Sequence, residues 1–184
     1  ISREIPAQDA AGGSLDLKMK PGIVDIDEEK REYYELRFFQ VLGKTLNNIE
    51  IGEGNYIAIS DVEVPEDGRV TLKKGANIFV EPGRGLIVRG RLSAQGPVSL
   101  QNVEPGVLFA DLEIDDRRWN GIRVGPGGAL LLKDVTIGGA NDGIAVSGNC
   151  DTVSLEDVYF ENIDGPAVSV DGSDAGAAKG MSTS

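Results

Sequence analysis

Apolar and polar residues alternate in short runs along most of the chain. A spacing of two predicts β-strands, because successive side chains of a strand point to opposite faces. Glycines recur with this alternation at intervals of 21, 21, 25, 22 and 22 residues: Gly54, Gly75, Gly96, Gly121, Gly143 and Gly165. Each precedes an apolar pair of a first column: Ile57 and Ile59, Ile78 and Val80, Val98 and Leu100, Ile122 and Val124, Ile144 and Val146, Val168 and Val170.

Two further columns of apolar pairs share this period. The second column is Val62 and Val64, Leu86 and Val88, Val107 and Phe109, Leu130 and Leu132, Val153 and Leu155. The third column is Val70 and Leu72, Leu92 and Ala94, Leu112 and Ile114, Val135 and Ile137, Val158 and Phe160. Three strands in about 22 residues leave no room for a helix, so the sequence predicts a solenoid whose turns stack about 4.8 Å apart.

The segments Val70–Gly96 and Trp119–Ile144 resemble the recurring unit of right-handed parallel β-helix proteins of the pectate-lyase-like superfamily. The resemblance implies an all-β, right-handed parallel β-helix of about five to seven coils with three short strands per coil. It implies little about function, since that superfamily includes lyases, hydrolases, adhesins, junction proteins and phage spikes.

The repeats predict a β-helix domain over residues 36–170, an N-terminal tail or cap over 1–35 and a low-complexity C-terminal tail over 171–184. Residues 27–43 have two interpretations: an amphipathic helix that caps the solenoid, or part of an extra coil. The extra coil is favoured by 21-residue offsets, which place Leu36 and Phe38 before Ile57 and Ile59, and Ile49 and Ile51 before Val70 and Leu72. An earlier turn would include Leu15, Leu17, Met19, Val24 and Ile26.

Composition excludes several classes of function. Thirty acidic and 18 basic residues give a net charge of −12, which opposes binding to nucleic acids and to anionic membrane surfaces. The chain has no histidine, which removes histidine acid–base catalysis and the commonest zinc ligand. Its single cysteine forms no internal disulfide, and no apolar run reaches the roughly 18 residues that membrane insertion requires.

Catalysis is not expected on the face where pectin-cleaving members of that superfamily usually place it. The outward positions of the first column are Phe79, Ser99, Arg123, Ala145 and Ser169, with no carboxylate among them. Glycoside hydrolysis needs paired acids, and a calcium-dependent lyase needs an acid cluster beside a base. Arg123 alone is interpreted as part of a solvated face, so we expect no enzyme and no cofactor.

Asp111, Asp134 and Asp157 recur at intervals of 23 residues, each just after the second strand of its repeat. Stacked carboxylates repel one another and need compensation. We expect each to accept a hydrogen bond from a turn N–H; the alternative is a bridging calcium ion. Asn120, Asp142 and Asp164 precede corner glycines and are expected in turns that tolerate left-handed backbone.

Trp119 follows two arginines, Arg117 and Arg118, in the longest predicted coil. With Arg123 it would form a carbohydrate-binding site in which the indole stacks on a sugar ring. The alternative, which the resemblance favours, is that the indole covers a corner of the solenoid.

Three aliphatic residues, Ile87, Leu108 and Leu131, occupy consecutive outward positions of the second column, between Glu63 and Ser154. A contiguous apolar stripe needs a cover. The candidates are the N-terminal segment of the chain, a neighbouring subunit and a hydrophobic ligand.

These observations predict a non-catalytic extracellular or cell-surface scaffold that self-associates into a homo-oligomer or polymer. Association is expected laterally through the apolar stripe or axially through open coil ends, because residues 171–180 have no apolar pattern to form a cap. The start at Ile1 without methionine suggests a processed, secreted precursor. The alternatives are a carbohydrate-binding module or degenerate polysaccharide lyase, and an adhesion module of a larger surface protein.

Overall fold

The computed structural model describes residues 39–103 and 118–171 in full, and the backbone strands at 4–8, 14–18 and 181–183. These residues contain strands and turns without a helix, and the strands stack as a parallel β-solenoid of about 5 turns. The all-β solenoid prediction is confirmed. The right-handed sense of the coil stays a prediction.

Sixteen strands follow one another along the described residues. They are β1 Glu4–Gln8, β2 Ser14–Lys18, β3 Gln40–Val41, β4 Ile49–Ile51, β5 Gly54–Ala58, β6 Val62–Val64, β7 Arg69–Lys73, β8 Ala76–Val80, β9 Leu86–Val88, β10 Arg91–Asn102, β11 Ile122–Val124, β12 Ala129–Gly138, β13 Ile144–Ser147, β14 Thr152–Glu161, β15 Val168–Asp171 and β16 Met181–Thr183.

Each complete turn contributes one strand to a short sheet and two strand segments to a long sheet. The short sheet has the order β6–β9–β11–β13–β15. In the long sheet, β4, β7 and the first halves of β10, β12 and β14 form one column; β3, β5, β8 and the second halves of those three strands form the other. The pairing of Ile122 with Ile144 on β11 and β13 confirms the stacking on which the sequence interpretation depends.

The core is a set of apolar piles that run through the turns. In the short sheet Val62, Leu86, Ile122 and Ile144 stack on one another, and none is more than 7% exposed. Burying such a side chain stabilises the fold by about 1.5–3 kcal/mol. Each turn thus depends on the next one to cover its interior.

The bend between the two columns of the long sheet requires left-handed backbone. Gly75 and Gly96 supply it with φ of 83° and 92°, and Asp134 and Asp157 supply it in later turns with φ of 56° and 52°. Aspartate tolerates this region better than most residues, which explains why it can take the place of glycine at the bend of the later turns.

The turn chemistry expected for Asn120, Asp142 and Asp164 is wrong in one respect. None of them is among the described residues with positive φ. Gly121 provides the left-handed conformation at that corner instead, with φ of 82°.

The predicted columns mix strands that the structure separates. Leu86 pairs with Ile122 and Leu92 with Leu130, so the predicted column that contains both Leu86 and Leu130 is wrong; its members Val107 and Phe109 lie outside the described residues. The 25-residue interval from Gly96 to Gly121 does not correspond to one turn. Gly96 lies at the bend of the long sheet, and Gly121 lies beside the short sheet. Residues 104–117 lie outside the described residues.

A second apolar cluster lies on the outside of the long sheet. Tyr56 pairs with Ile78, which places Ile57 beside Phe79 rather than in the predicted interior column. Ile57 and Ile59 are nevertheless buried, and Phe39, Val41, Phe79 and Val103 pack against them. The rings of Phe39 and Phe79 meet edge to face with centroids 5.2 Å apart.

At the N-terminal side, the extra coil is confirmed for Ile49 and Ile51, which pair with Val70 and Leu72. On this side Ile57 pairs with Val41, so the predicted 21-residue offset between Leu36 and Ile57 is wrong. The rest of the 27–43 helix alternative lies outside the described residues, as do Met19, Val24 and Ile26.

The two termini contain strands of different kinds. Leu15 and Leu17 lie in β2, which pairs with β1 in an antiparallel hairpin and does not continue the solenoid as the pattern suggested. At the other end, β16 pairs in parallel with Val153–Leu155 of β14. The C-terminal tail therefore covers one strand edge, which the lack of an apolar pattern did not predict.

Two left-handed glycines provide a test of the stacking. A Cβ atom at Gly121 would lie 1.9 Å from the Asp142 carbonyl oxygen of the next turn, whereas one at Gly83 (φ 71°) would meet nothing within 4 Å. We expect Gly83→Ala to lower the free energy of unfolding by about 1 kcal/mol, from backbone strain alone. Gly121→Ala should cost about 3 kcal/mol, because the neighbouring turn must also move. Urea unfolding measures both, and equal losses would contradict the stacking.

Candidate functional site

The outward face of the short sheet carries Glu63, Ile87, Arg123, Ala145 and Ser169. Phe79 and Ser99, predicted on the same face, lie in the long sheet. The single carboxylate among these five positions is that of Glu63, whose Oε1 lies 3.5 Å from Arg89 Nε. This face offers no pair of carboxylates for acid–base chemistry.

Asp134 and Asp157 occupy equivalent positions in adjacent turns and are exposed. Their left-handed backbone explains why a short polar residue recurs there. No group of three or more potential metal-ligating side chains occurs among the described residues. Asp111, the third member of the predicted calcium set, lies outside them.

Trp119 is fully buried, and its indole Nε1 donates a hydrogen bond to the Gly138 carbonyl oxygen at 2.8 Å. Arg118 donates to the backbone carbonyl oxygen and the Oδ1 atom of Asn162, while Arg123 is exposed on the short sheet. Arg117 lies outside the described residues. The buried indole is not available to stack on a sugar ring, and its position at a corner of the solenoid agrees with the packing alternative.

The apolar stripe predicted from the second column is not a contiguous surface. Ile87 lies on the short sheet between Glu63 and Arg123, and Leu131 lies on the long sheet between Ser93 and Ser154. Leu108 lies outside the described residues. Ile87 and Leu131 are each half-buried beside polar neighbours, so the stripe does not support a lateral interface.

The outer face of the long sheet carries polar ladders that the sequence interpretation missed. Asn77 Nδ2 donates to Asn55 Oδ1 at 3.2 Å, and Ser99 Oγ donates to Asn77 Oδ1 at 2.9 Å. In the neighbouring column the hydroxyl oxygens of Thr71 and Ser93 lie 3.2 Å apart. The signal was present in the sequence as polar residues spaced by 22.

Two ion pairs also join adjacent turns of the long sheet. Lys73 Nζ lies 2.5 Å from Glu50 Oε2, and Lys133 donates to Glu156. The hydrogen bond to Glu156, together with its negative charge, raises the pKa of the exposed Lys133 ammonium. On the alkaline side, the ion pair is therefore lost only as the pH rises through the raised pKa of Lys133.

The C-terminal turn differs from every turn before it in the burial of its inward residues. Val135, Ile137, Ile144 and Val146 are at most 5% exposed in the preceding turn. Their partners Val158, Phe160 and Val168 are only half-buried, and Val170 is 48% exposed. Among the described residues, β15 has no partner on its outer edge, and β16 covers only the Val153–Leu155 segment of β14. This open end is the best candidate for an interaction site.

Comparison of the chain with protein-family models, curated proteins and solved structures finds no match in any of the three. Within the described ranges there is no helix of the length and hydropathy that a membrane crossing requires. The interpretation of this chain thus depends on its own geometry.

Trp119 gives a direct test of the packing role. We expect Trp119→Phe to lower the free energy of unfolding by about 2–3 kcal/mol, because it removes core volume and leaves the Gly138 carbonyl oxygen without its donor. Tyr159→Phe, at an aromatic residue 58% exposed, is the matched control and should change stability by less than about 0.5 kcal/mol. Chemical denaturation followed by circular dichroism measures both. A destabilisation no larger than that of the control would contradict the packing role.

Proposed function

We propose that this chain is a non-catalytic structural scaffold that associates with copies of itself. The observation that carries the proposal is the open C-terminal turn, whose inward apolar side chains are half-buried or exposed where those of the preceding turn are buried. Exposed strand edges and apolar side chains favour association with another chain. The proposal includes an extracellular or cell-surface setting.

The energetic argument follows from the repeat. A second copy packed against this end would cover Val158, Phe160, Val168 and Val170, as their partners in the preceding turn are covered. At about 25 cal/mol per Å² of apolar surface, each side chain contributes on the order of 1 kcal/mol. Four such contributions favour a weak, concentration-dependent contact.

We further propose that the chain belongs to the pectate-lyase-like superfamily as a non-catalytic member. Support for membership comes from three parallel strands in each turn and from the resemblance of Val70–Gly96 and Trp119–Ile144 to the recurring unit. Support for the non-catalytic role comes from the short-sheet face with its single carboxylate. The carbohydrate-binding alternative has less support, because Trp119 is buried and its ring is not exposed for stacking on a sugar.

Sedimentation velocity over a concentration series tests self-association. We expect a reversible assembly whose apparent dissociation constant rises on the order of tenfold in Val170→Asp, because the charge enters the apolar end. Ile49→Asp is the matched control, since Ile49 is an aliphatic residue 41% exposed in the first turn, and it should leave assembly unchanged. A monomer at all concentrations would overturn the proposal, and equal effects of the two variants would remove the C-terminal end from it.

A further inference from the structure

We infer that the C-terminal end of one copy docks onto an arginine face in the middle turns of the next copy. The inference rests on the proposed self-association and names the two surfaces that meet. The arginine face consists of Arg69 and Arg91, which are paired on adjacent strands of the long sheet.

Charge is segregated along the solenoid axis. Residues 39–68 carry one basic and six acidic residues, a net charge of −5. Residues 69–133 carry ten basic and six acidic residues, a net charge of +4, and five of the six acidic residues fall in 104–117, outside the described ranges. Residues 134–171 carry eight acidic residues and no basic residue, a net charge of −8. The middle of the solenoid sequence is thus net positive, and the segments on either side of it are net negative.

Arg69 and Arg91 are exposed, and they occupy paired positions on the adjacent strands β7 and β10. Within the described part of the chain, neither guanidinium has an ion-pair partner. Two like charges one strand spacing apart repel each other, and an external anionic group would relieve that repulsion.

The acidic end has the complementary features. Glu161, Asp164 and Asp171 are exposed and, within the described residues, make no ion pair. They flank the half-buried Phe160 and the exposed Val170 in the last turn. This end therefore presents carboxylates that can pair with the guanidinium groups of Arg69 and Arg91.

The other two surfaces available on a second copy fit less well. The N-terminal end has a net charge of −5 over residues 39–68; its apolar residues Leu42, Leu46 and Ile51 are buried, and Ile49 is 41% exposed. A contact between two C-terminal ends would bring together two regions of charge −8. Charge complementarity selects the middle turns as the docking surface.

Because the two surfaces differ, the contact is heterologous, and each copy offers one of each. Such contacts continue into a ring or an open array, whereas a two-fold contact would stop at a dimer. The contact is also electrostatic, so it weakens as salt screens the charges.

The first test is sedimentation velocity of the unmodified protein in 20 mM and 500 mM NaCl. We expect the apparent dissociation constant to rise on the order of tenfold in high salt. Assembly that is unchanged or stronger in high salt would overturn the docking surfaces while leaving the proposed scaffold function intact. A monomer in both buffers would overturn both.

The second test is charge reversal with complementation. R69E/R91E and E161K/D164K should each weaken self-association on the order of tenfold or more, because each places like charges on both surfaces. A 1:1 mixture should restore assembly, since the acidic end of the first variant meets the arginine face of the second. E53K, at an exposed carboxylate of the first turn, is the matched control and should assemble like the unmodified protein.

Circular dichroism confirms that every variant retains its β-structure before association is measured. No loss of assembly in R69E/R91E, or no recovery in the mixture, would overturn the inference. A loss in E161K/D164K alone would show that the C-terminal end contacts a surface other than the arginine face, and it would leave self-association in place.

Discussion

The stacking of one turn on the next is the interaction on which the rest of this structure depends. Strands of successive turns pair in parallel, and this pairing places apolar side chains of equivalent positions directly above one another. Each inward residue is covered by its counterparts, as in the pile from Leu86 through Ile122 to Ile144. Stability is therefore transmitted from neighbour to neighbour, and a turn without a neighbour on one side stays incompletely buried. The exposure of Val170 is a direct consequence of this rule.

Much of the fold could be predicted from the sequence because the apolar alternation carries the strand period directly. The pairings of Ile49 with Val70 and of Ile122 with Ile144 follow from intervals of 21 and 22 residues. The predicted register is wrong where the residue at the bend changes from glycine to aspartate. Gly96 forms the bend in one turn, and Asp134 forms it in the next. Left-handed backbone is the shared requirement, and glycine and aspartate both meet it. Because aspartate replaces glycine at this bend, the glycine spacing alone matches Gly96 with Gly121, which lies at a different corner.

The candidate site could be predicted less well, because exposure depends on neighbours that a single position does not reveal. Trp119 beside an arginine has the composition of a sugar site, yet the indole lies inside the corner and donates to Gly138. Ile87 and Leu131 have the same alternation as a surface stripe, yet they belong to different sheets. By contrast, the open C-terminal turn follows from the solenoid principle once the last strand is known.

The same stacking that brings apolar residues together also brings charged residues together. Opposite charges meet at some stacked positions, and like charges meet at others. On the long sheet, Lys73 is neutralised by Glu50 and Lys133 by Glu156, each pair joining residues of adjacent turns. Arg69 and Arg91 occupy the same kind of paired position with like charges, at a cost of about 1 kcal/mol in water. Folding alone gains nothing from that arrangement, because a single acidic residue at either position would form an ion pair instead. An anionic surface that binds there would offset this repulsion, and among the described residues the open C-terminal end carries Glu161, Asp164 and Asp171 without an ion pair.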